Sequence, residues 1–191
     1  LDFNTSGNEV SEGVLGAGPT TTASGSKTGS GDIGSFFAEY TFAQGTTIGI
    51  DMISGSTEIG KASRTEAGTT SGTVTAAAEI SDPTTFYIEP TLMMSDKFGI
   101  YVKGGATNVS VQPKEKADAG NVVTSTYKDK DVWGIMTGVG AKYYMGNFFA
   151  KAEYVETEYE KYSHTSTTGD KNTINADIDT EETRFALGYN F

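Results

Sequence analysis

Thr183-Arg184-Phe185-Ala186-Leu187-Gly188-Tyr189-Asn190-Phe191 repeats with a period of two. Thr183, Phe185, Leu187, Tyr189 and Phe191 share one face of an extended chain, while Glu182, Arg184, Ala186, Gly188 and Asn190 share the other. This alternation predicts a β-strand with one aromatic face and one face of charge and small residues. Lipid or the core of a sandwich would each cover such an aromatic face, so the rest of the chain has to decide between them.

Of the 191 residues, 36% are hydrophobic and the mean hydropathy is −0.34, yet there are 10 Tyr, 10 Phe and 24 Gly. That balance favours β-structure over disorder. No apolar run reaches the ~18 residues of a membrane-crossing helix, so a membrane-spanning form has to be a barrel, whose strands need ~9–11 residues of alternating character. There is no cysteine, which removes disulfide and thiolate chemistry, and the single histidine leaves no zinc cluster. A net charge of −11 disfavours nucleic acid, which calls for a basic face. Nothing marks a second domain, and 1–191 reads as one unit. No leader segment is legible, as expected of the mature form of an exported chain.

Moving back from the C-terminus, the same alternation recurs. The stretch from Phe148 to about Tyr162 sets Phe148, Ala150, Ala152 and Tyr154 against Phe149, Lys151, Glu153 and Val155. Residues 130–145 set Trp133, Ile135, Val139 and Tyr143 against Gly134, Met136, Gly138, Gly140 and Lys142. Residues 98–111 set Phe98, Ile100 and Val102 against Gly99, Tyr101, Lys103 and Gly105, and residues 84–94 set Phe86, Ile88 and Leu92 against Tyr87, Glu89 and Met93. Pro90 interrupts the last of these, and a bulge is expected there. Residues 47–57 and 33–43 continue the pattern, with Asp51 and Glu39 on the polar side. The first strand, within 1–15, switches parity between Thr5 and Val10, which predicts another bulge.

Short turns at 43–46, 95–97 and 146–147 alternate with four long stretches poor in apolar alternation, about 16–32, 58–83, 112–129 and 163–175, which read as loops. Seven connections join eight strands. All the long loops then lie at one end, an asymmetry of up-and-down barrels that a Greek-key sandwich has no reason to adopt. The expected fold is an all-β, eight-stranded antiparallel up-and-down transmembrane β-barrel.

In that fold the apolar face points outward. The inner face then carries Glu39, Asp51, Glu89, Glu153 and Glu182 with Lys103, Lys142, Lys151 and Arg184, a near-neutral set. A narrow interior demands such pairing, because an uncompensated buried charge costs several kcal/mol. Phe37, Tyr87, Met93, Tyr101, Met136 and Tyr144 are expected to fill the remaining space, leaving no continuous water column. Tyr143, Phe148, Tyr189 and Phe191 bank beside the short turns, and Phe86, Trp133, Tyr154 and Phe185 form a second band, as in the girdles at both membrane interfaces.

The aromatic ending Phe185, Leu187, Tyr189 and Phe191 resembles the insertion signal of bacterial outer-membrane barrels. Gly138 to Tyr144, Phe148 to Tyr154 and Arg184 to Phe191 together resemble the last three strands of the small eight-stranded barrels related to the transmembrane domain of outer-membrane protein A and to the opacity and surface-antigen proteins. The likeness extends over 84–111 and 130–191. It implies an outer-membrane location with periplasmic termini, and contact with membrane lipids, lipopolysaccharide and the barrel assembly machinery. It also implies loops that meet an extracellular protein or a cell-surface partner. No cofactor is implied.

The expected function is therefore an integral anchor for four extracellular loops, with a side-chain-filled lumen and no enzymatic activity. A small diffusion channel is the alternative, followed by a lipid-modifying enzyme. For the enzyme, His164-Thr165-Ser166 with Glu181 or Glu182 resembles the arrangement of outer-membrane lipid deacylases, but lies in a polar stretch rather than a strand motif. Asp177, Asp179, Glu181 and Glu182 do not reproduce the spacing of a calcium loop.

Overall fold

The computed structural model describes residues 2–11, 20–30, 34–66, 72–120, 124, 126–167 and 173–191, and every regular element among them is a strand. In chain order these are β1 (Asp2–Ser11), β2 (Thr20–Ser30), β3 (Ser35–Thr41), β4 (Thr46–Ile53), β5 (Ser56–Glu66), β6 (Gly72–Met93), β7 (Phe98–Gly120), β8 (Lys130–Met145), β9 (Phe148–Tyr159), β10 (Tyr162–Thr165) and β11 (Thr173–Tyr189). β4 and β5 run successively along β6, and β9 and β10 run successively along β11. Counting those pairs, and β2 with β3, as single interrupted staves leaves eight.

All pairings are antiparallel, in the order β2-β1-β11-β9-β8-β7-β6-β4-β3. The two ends of that path, β2 and β3, are consecutive in the chain. The sheet thus returns to the stave on which it began. Its curvature is fixed by contacts across the interior: Glu39 on β3 lies 3.1 Å from Lys142 on β8, four strands away, where a flat sheet would hold them about 19 Å apart. Phe37 on β3 likewise meets the Phe149 ring of β9 at 6.1 Å between centroids. The fold is an eight-stave antiparallel up-and-down barrel.

The three short turns lie where the alternation places them. Phe42 N–H donates to Thr46 O at 2.8 Å with Gly45 at φ 88°, Ser95 and Phe98 exchange backbone bonds, and Gly146 turns at φ 66°. At the other end the structure departs from the sequence reading. Much of what reads as loop is strand: β2 occupies 20–30, β5 and the first half of β6 occupy most of 58–83, and β7 runs on to Gly120. Gly, Ser, Thr and Ala weaken the apolar signal without preventing a ladder, and each of these segments has a registered neighbour to bond with. Within the stretch read as a fourth loop, β10 and the start of β11 pair with each other.

The bulge expected at Pro90 is absent, since the β6 to β7 register is the same at Ile88↔Gly104 and Thr91↔Tyr101. The shift falls instead between Ser81 and Thr84, around Pro83, where Asp82 adopts φ 49° and its carboxylate accepts the Gly55 N–H at 3.2 Å. Pro90 is tolerated because it stands on the exposed face, at a point where the β6 to β7 ladder skips two pairs, those of Glu89 and Pro90. The first strand is not itself bulged: its register with β11 is unbroken from Asp2 to Val10, and the shift opposite Glu9 and Val10 comes from one extra residue, Thr22, on β2.

Inside, aromatic rings lie over the glycines paired with them: Tyr87 over Gly49, Tyr101 over Gly140 and Phe149 over Gly188. A Cβ at any of these glycines would overlap the ring, so the small residue makes room for the large one on the neighbouring strand. Toward the short turns the interior is charged. Toward the other end it is an aliphatic cluster of Ile80, Val109, Val111, Val132, Tyr162 and Ile178.

This packing predicts slow amide exchange from Thr75 to Ile80 and from Val109 to Val111. Hydrogen exchange measured on the detergent-folded protein checks it; exchange of these amides at the rate of a free loop would contradict the strand assignment.

Candidate functional site

Nine ionisable side chains on seven staves converge in the interior near the short-turn end. Period-two alternation puts them there, because each follows an outward-facing residue on its own strand, apolar for all but Glu182 and Arg184, which follow Glu181 and Thr183. Glu89 of β6 is fully enclosed and is bridged by Lys142 of β8 and by Lys151 of β9, the latter at 2.9 Å. The same two lysines hold Glu39 of β3, at 3.1 Å and 2.5 Å. Lys103 of β7 contacts both oxygens of Glu153 at 2.9 Å and 3.0 Å. On β11, Arg184 donates through Nε to Glu182 at 2.7 Å and through Nη1 to Asp51 of β4 at 2.5 Å, and lies 3.7 Å from Glu153. One network therefore joins all nine.

Five carboxylates face four cations in this network, and two phenols offset the extra negative charge. Tyr87 donates to Glu39 at 2.7 Å, and Tyr101 donates to Glu153 at 2.8 Å. Lys103 Nζ also sits 3.9 Å above the Tyr87 ring, a cation–π contact that is stronger where water is excluded. Of the expected space-fillers, Tyr87, Tyr101 and Met136 are buried, with Phe37 and Tyr144 partly so. Met93 is not among them. It is exposed at the last residue of β6, beyond the point where facing strands enclose it. Phe149 takes a place in the interior that the sequence reading did not assign to it as filler.

Trp133, Tyr143, Phe148, Phe185, Leu187, Tyr189 and Phe191 all point outward and are exposed, with Phe185 at 82% and Leu187 at 78%. They belong to a continuous apolar belt with Phe36, Ile48, Phe86, Ile88, Leu92, Ile100, Val102, Ile135 and Val139. The belt stops above Tyr154, whose hydroxyl donates to Glu156 and Glu181, each at 3.0 Å. Beyond it the outward positions of β9 and β11 are acidic, Glu156 opposite Glu181 and Glu158 opposite Asp179.

The strand thus splits the acidic run. Asp177, Asp179 and Glu181 face out, whereas Glu182 faces in to Arg184. Among the described residues no group of three or more His, Asp or Glu side chains is arranged to hold a metal ion. His164 Nε2 and Ser166 Oγ are buried and make no hydrogen bond, so no nucleophile and base are joined there. Both belong to the far end of the interior, beside Tyr162, whose phenol is pushed up to about 12 by burial and then by the nearby Asp129. The aliphatic cluster is the part that sequence reasoning missed. Its signal was present in Val109 and Val111 continuing the inward parity of Thr107, and in Ile174, Ala176 and Ile178 alternating into β11.

No protein-family model matches the chain, and no curated protein matches it. Among solved structures it is similar to the attachment invasion locus protein of Yersinia pestis, at 11% identity and a TM-score of 0.41, covering 100% of this chain and 95% of that one. The same protein in complex with the heparin analogue sucrose octasulfate gives 10% identity and a TM-score of 0.40 over the same shares. The barrel assignment rests on the strand order and the contacts across the interior.

Glu153→Leu leaves Lys103 buried without a counter-ion, and is expected to cost about 3–5 kcal/mol. Adding Lys103→Met should restore most of that loss, because the pair then leaves together. Urea unfolding in detergent micelles reads both values, and equal stabilities for the single and double variants would show that the pair is not coupled.

Proposed function

We propose that this chain is an integral protein of the bacterial outer membrane. In this reading the barrel anchors a surface-exposed β-structured end and its interior is closed to bulk flow. The observation that carries it is the inversion of the usual pattern: ion pairs inside, and a belt of large apolar side chains outside. A water-exposed belt of this extent would drive association, whereas lipid covers it without cost.

The belt gives the orientation its scale. From Phe148 to Tyr154 it spans one face of β9, with aromatic residues at both limits, and ends where carboxylates begin. The short turns then face the periplasm, with both ends of the chain, and the hairpin of β5 and β6 and the far half of β7 face outward. Lipid and lipopolysaccharide are the immediate partners of the belt, and the barrel assembly machinery is the partner of the C-terminal strand during insertion. An extracellular protein or cell-surface partner meets the outer end. The network of Glu39, Asp51, Glu89, Lys103, Lys142, Lys151, Glu153, Glu182 and Arg184 serves as filling rather than as a catalytic site.

The purified protein should show heat-modifiable gel migration and no steady conductance in planar bilayers. A large, voltage-insensitive conductance from the unmodified protein would replace the anchor with a diffusion channel. Because there is no native cysteine, single substitutions report orientation: Ser163→Cys should react with an impermeant reagent on intact cells, and Asn147→Cys should not. Equal labelling of the two sites would reject the orientation.

Lipid contact has its own signature. Phe185→Arg should cost about 2–4 kcal/mol on folding into bilayers, and Tyr189→Arg, nearer the interface, about 0–1 kcal/mol. Equal penalties at the two positions would place the belt somewhere other than across a membrane.

A further inference from the structure

We propose that the outward wall over β7, β8, β9 and β11 carries a site for one lipid, a phospholipid with a primary ammonium headgroup, its acyl chain in a furrow of the belt and its ammonium on Glu156 and Glu181. This rests on the membrane-spanning reading above and names the lipid that meets one part of the belt.

The furrow is built by register. One rung of the ladder runs Leu92, Ile100, Ala141, Ala152, Phe185 across β6, β7, β8, β9 and β11. All five side chains face outward, and the two next to Phe185 are alanines. Ile100 and Phe185 stand three strand spacings apart, about 14 Å, with nothing larger than a methyl group between them on that rung. Tyr154 closes one end, from the rung on which it pairs with Val139 and Thr183. The result is a furrow of about 770 Å³, walled by large apolar side chains and floored by Ala141 and Ala152. A hydrocarbon chain lying in it regains the dispersion contacts that an empty furrow forfeits.

The rim supplies the headgroup preference. The rung beyond Tyr154 holds Thr137, Glu156 and Glu181, all exposed. The Tyr154 hydroxyl donates to Oε1 of Glu156 and to Oε2 of Glu181, each at 3.0 Å, which holds both carboxylates within reach of a single group. Among the described residues neither carboxylate is paired with a cation. Two like charges at the edge of an apolar furrow repel an anionic headgroup and are complementary to a positive one. A second copy seated here about a two-fold axis would set these carboxylates against their own counterparts. A primary ammonium has three N–H donors, enough to bond both carboxylates, and a lipid carries it at the end of the chain that the furrow receives. Thr137 on the same rung leaves a hydroxyl for the accompanying phosphate.

Native mass spectrometry of the barrel released from detergent micelles reads the retained lipid directly. The probes are phosphatidylethanolamine, phosphatidylglycerol, lipopolysaccharide, and phosphatidylcholine, whose quaternary ammonium has the charge without N–H donors. Each variant is first shown to be folded by heat-modifiable migration. The unmodified barrel should retain one phosphatidylethanolamine, favoured about fivefold over phosphatidylglycerol or phosphatidylcholine at equal concentration, the scale of one interfacial charge contact. Glu156→Gln with Glu181→Gln should erase that preference while a lipid stays bound. Ala152→Phe fills the furrow and should release the lipid whatever its headgroup.

Equal retention of the three phospholipids by the unmodified barrel overturns the headgroup assignment, as does a preference that survives the double substitution. Retention unchanged by Ala152→Phe overturns the furrow. Lipopolysaccharide held only in the presence of magnesium would mean that the carboxylates take a metal ion, and a paired-barrel mass lost in Ala152→Phe would put a second copy in the furrow; either result overturns the proposal. Should the double substitution fail to fold, the headgroup comparison on the unmodified barrel and the effect of Ala152→Phe still decide. Failure of the membrane reading itself is separate, since it shows as an unmodified protein that does not fold into bilayers of any composition.

Discussion

Closure of eight staves leaves an interior little wider than the side chains that fill it, and the rest of the molecule follows from that confinement. Charges placed there have no room for a hydration shell, so each must find an opposite charge close by, which for all but Glu182 lies on another strand. Arg184 meets carboxylates from β4, β9 and its own strand, and Lys151 meets them from β3, β6 and β9. Such contacts tie staves that no backbone ladder joins. The network is thus as much a set of cross-braces as it is a filling. A buried ion pair is weak support for stability when compared with an apolar substitute, but strong support for register, because a one-residue slip would leave charges unpaired in the interior and others in the apolar belt.

The same confinement explains the glycines. Where Tyr87, Tyr101 and Phe149 lie flat against the wall, the paired position on the neighbouring strand has no volume left for a Cβ. Aromatic and glycine together fill about what two medium side chains would, while each phenol delivers a hydroxyl to a carboxylate. The layers then change chemistry with distance from the turns. Aliphatic packing takes over where the staves rise beyond the outward belt, giving the outer end a core of its own rather than a set of separate loops.

How much of this the sequence carried is best judged from particular residues. Inward and outward assignments on β7, β8, β9 and β11 followed directly from period-two alternation, since a strand has only two faces and Lys103, Lys142, Glu153 and Arg184 all shared one with glycines. That these residues would be joined in one network was a consequence of closure, and did not require knowing which stave faced which. The outer halves of β5, β6 and β7 were hidden because Thr, Ser, Gly and Ala report little through hydropathy. Their strand character comes from the neighbours that they bond to.

The sequence by itself determined the fold class, the positions of the short turns and the set of charged side chains that share the interior, because all three follow from local periodicity and turn chemistry. Only the tertiary structure decided which charges pair, since Glu39 with Lys142 and Asp51 with Arg184 are 103 and 133 residues apart and meet through curvature. It also decided where the register breaks, at Pro83 and not Pro90, because a proline disturbs a sheet only where its missing donor or fixed backbone conflicts with a neighbouring strand. And it revealed the aliphatic layer, whose six members are drawn from five strands and become a cluster only when those strands enclose a common space.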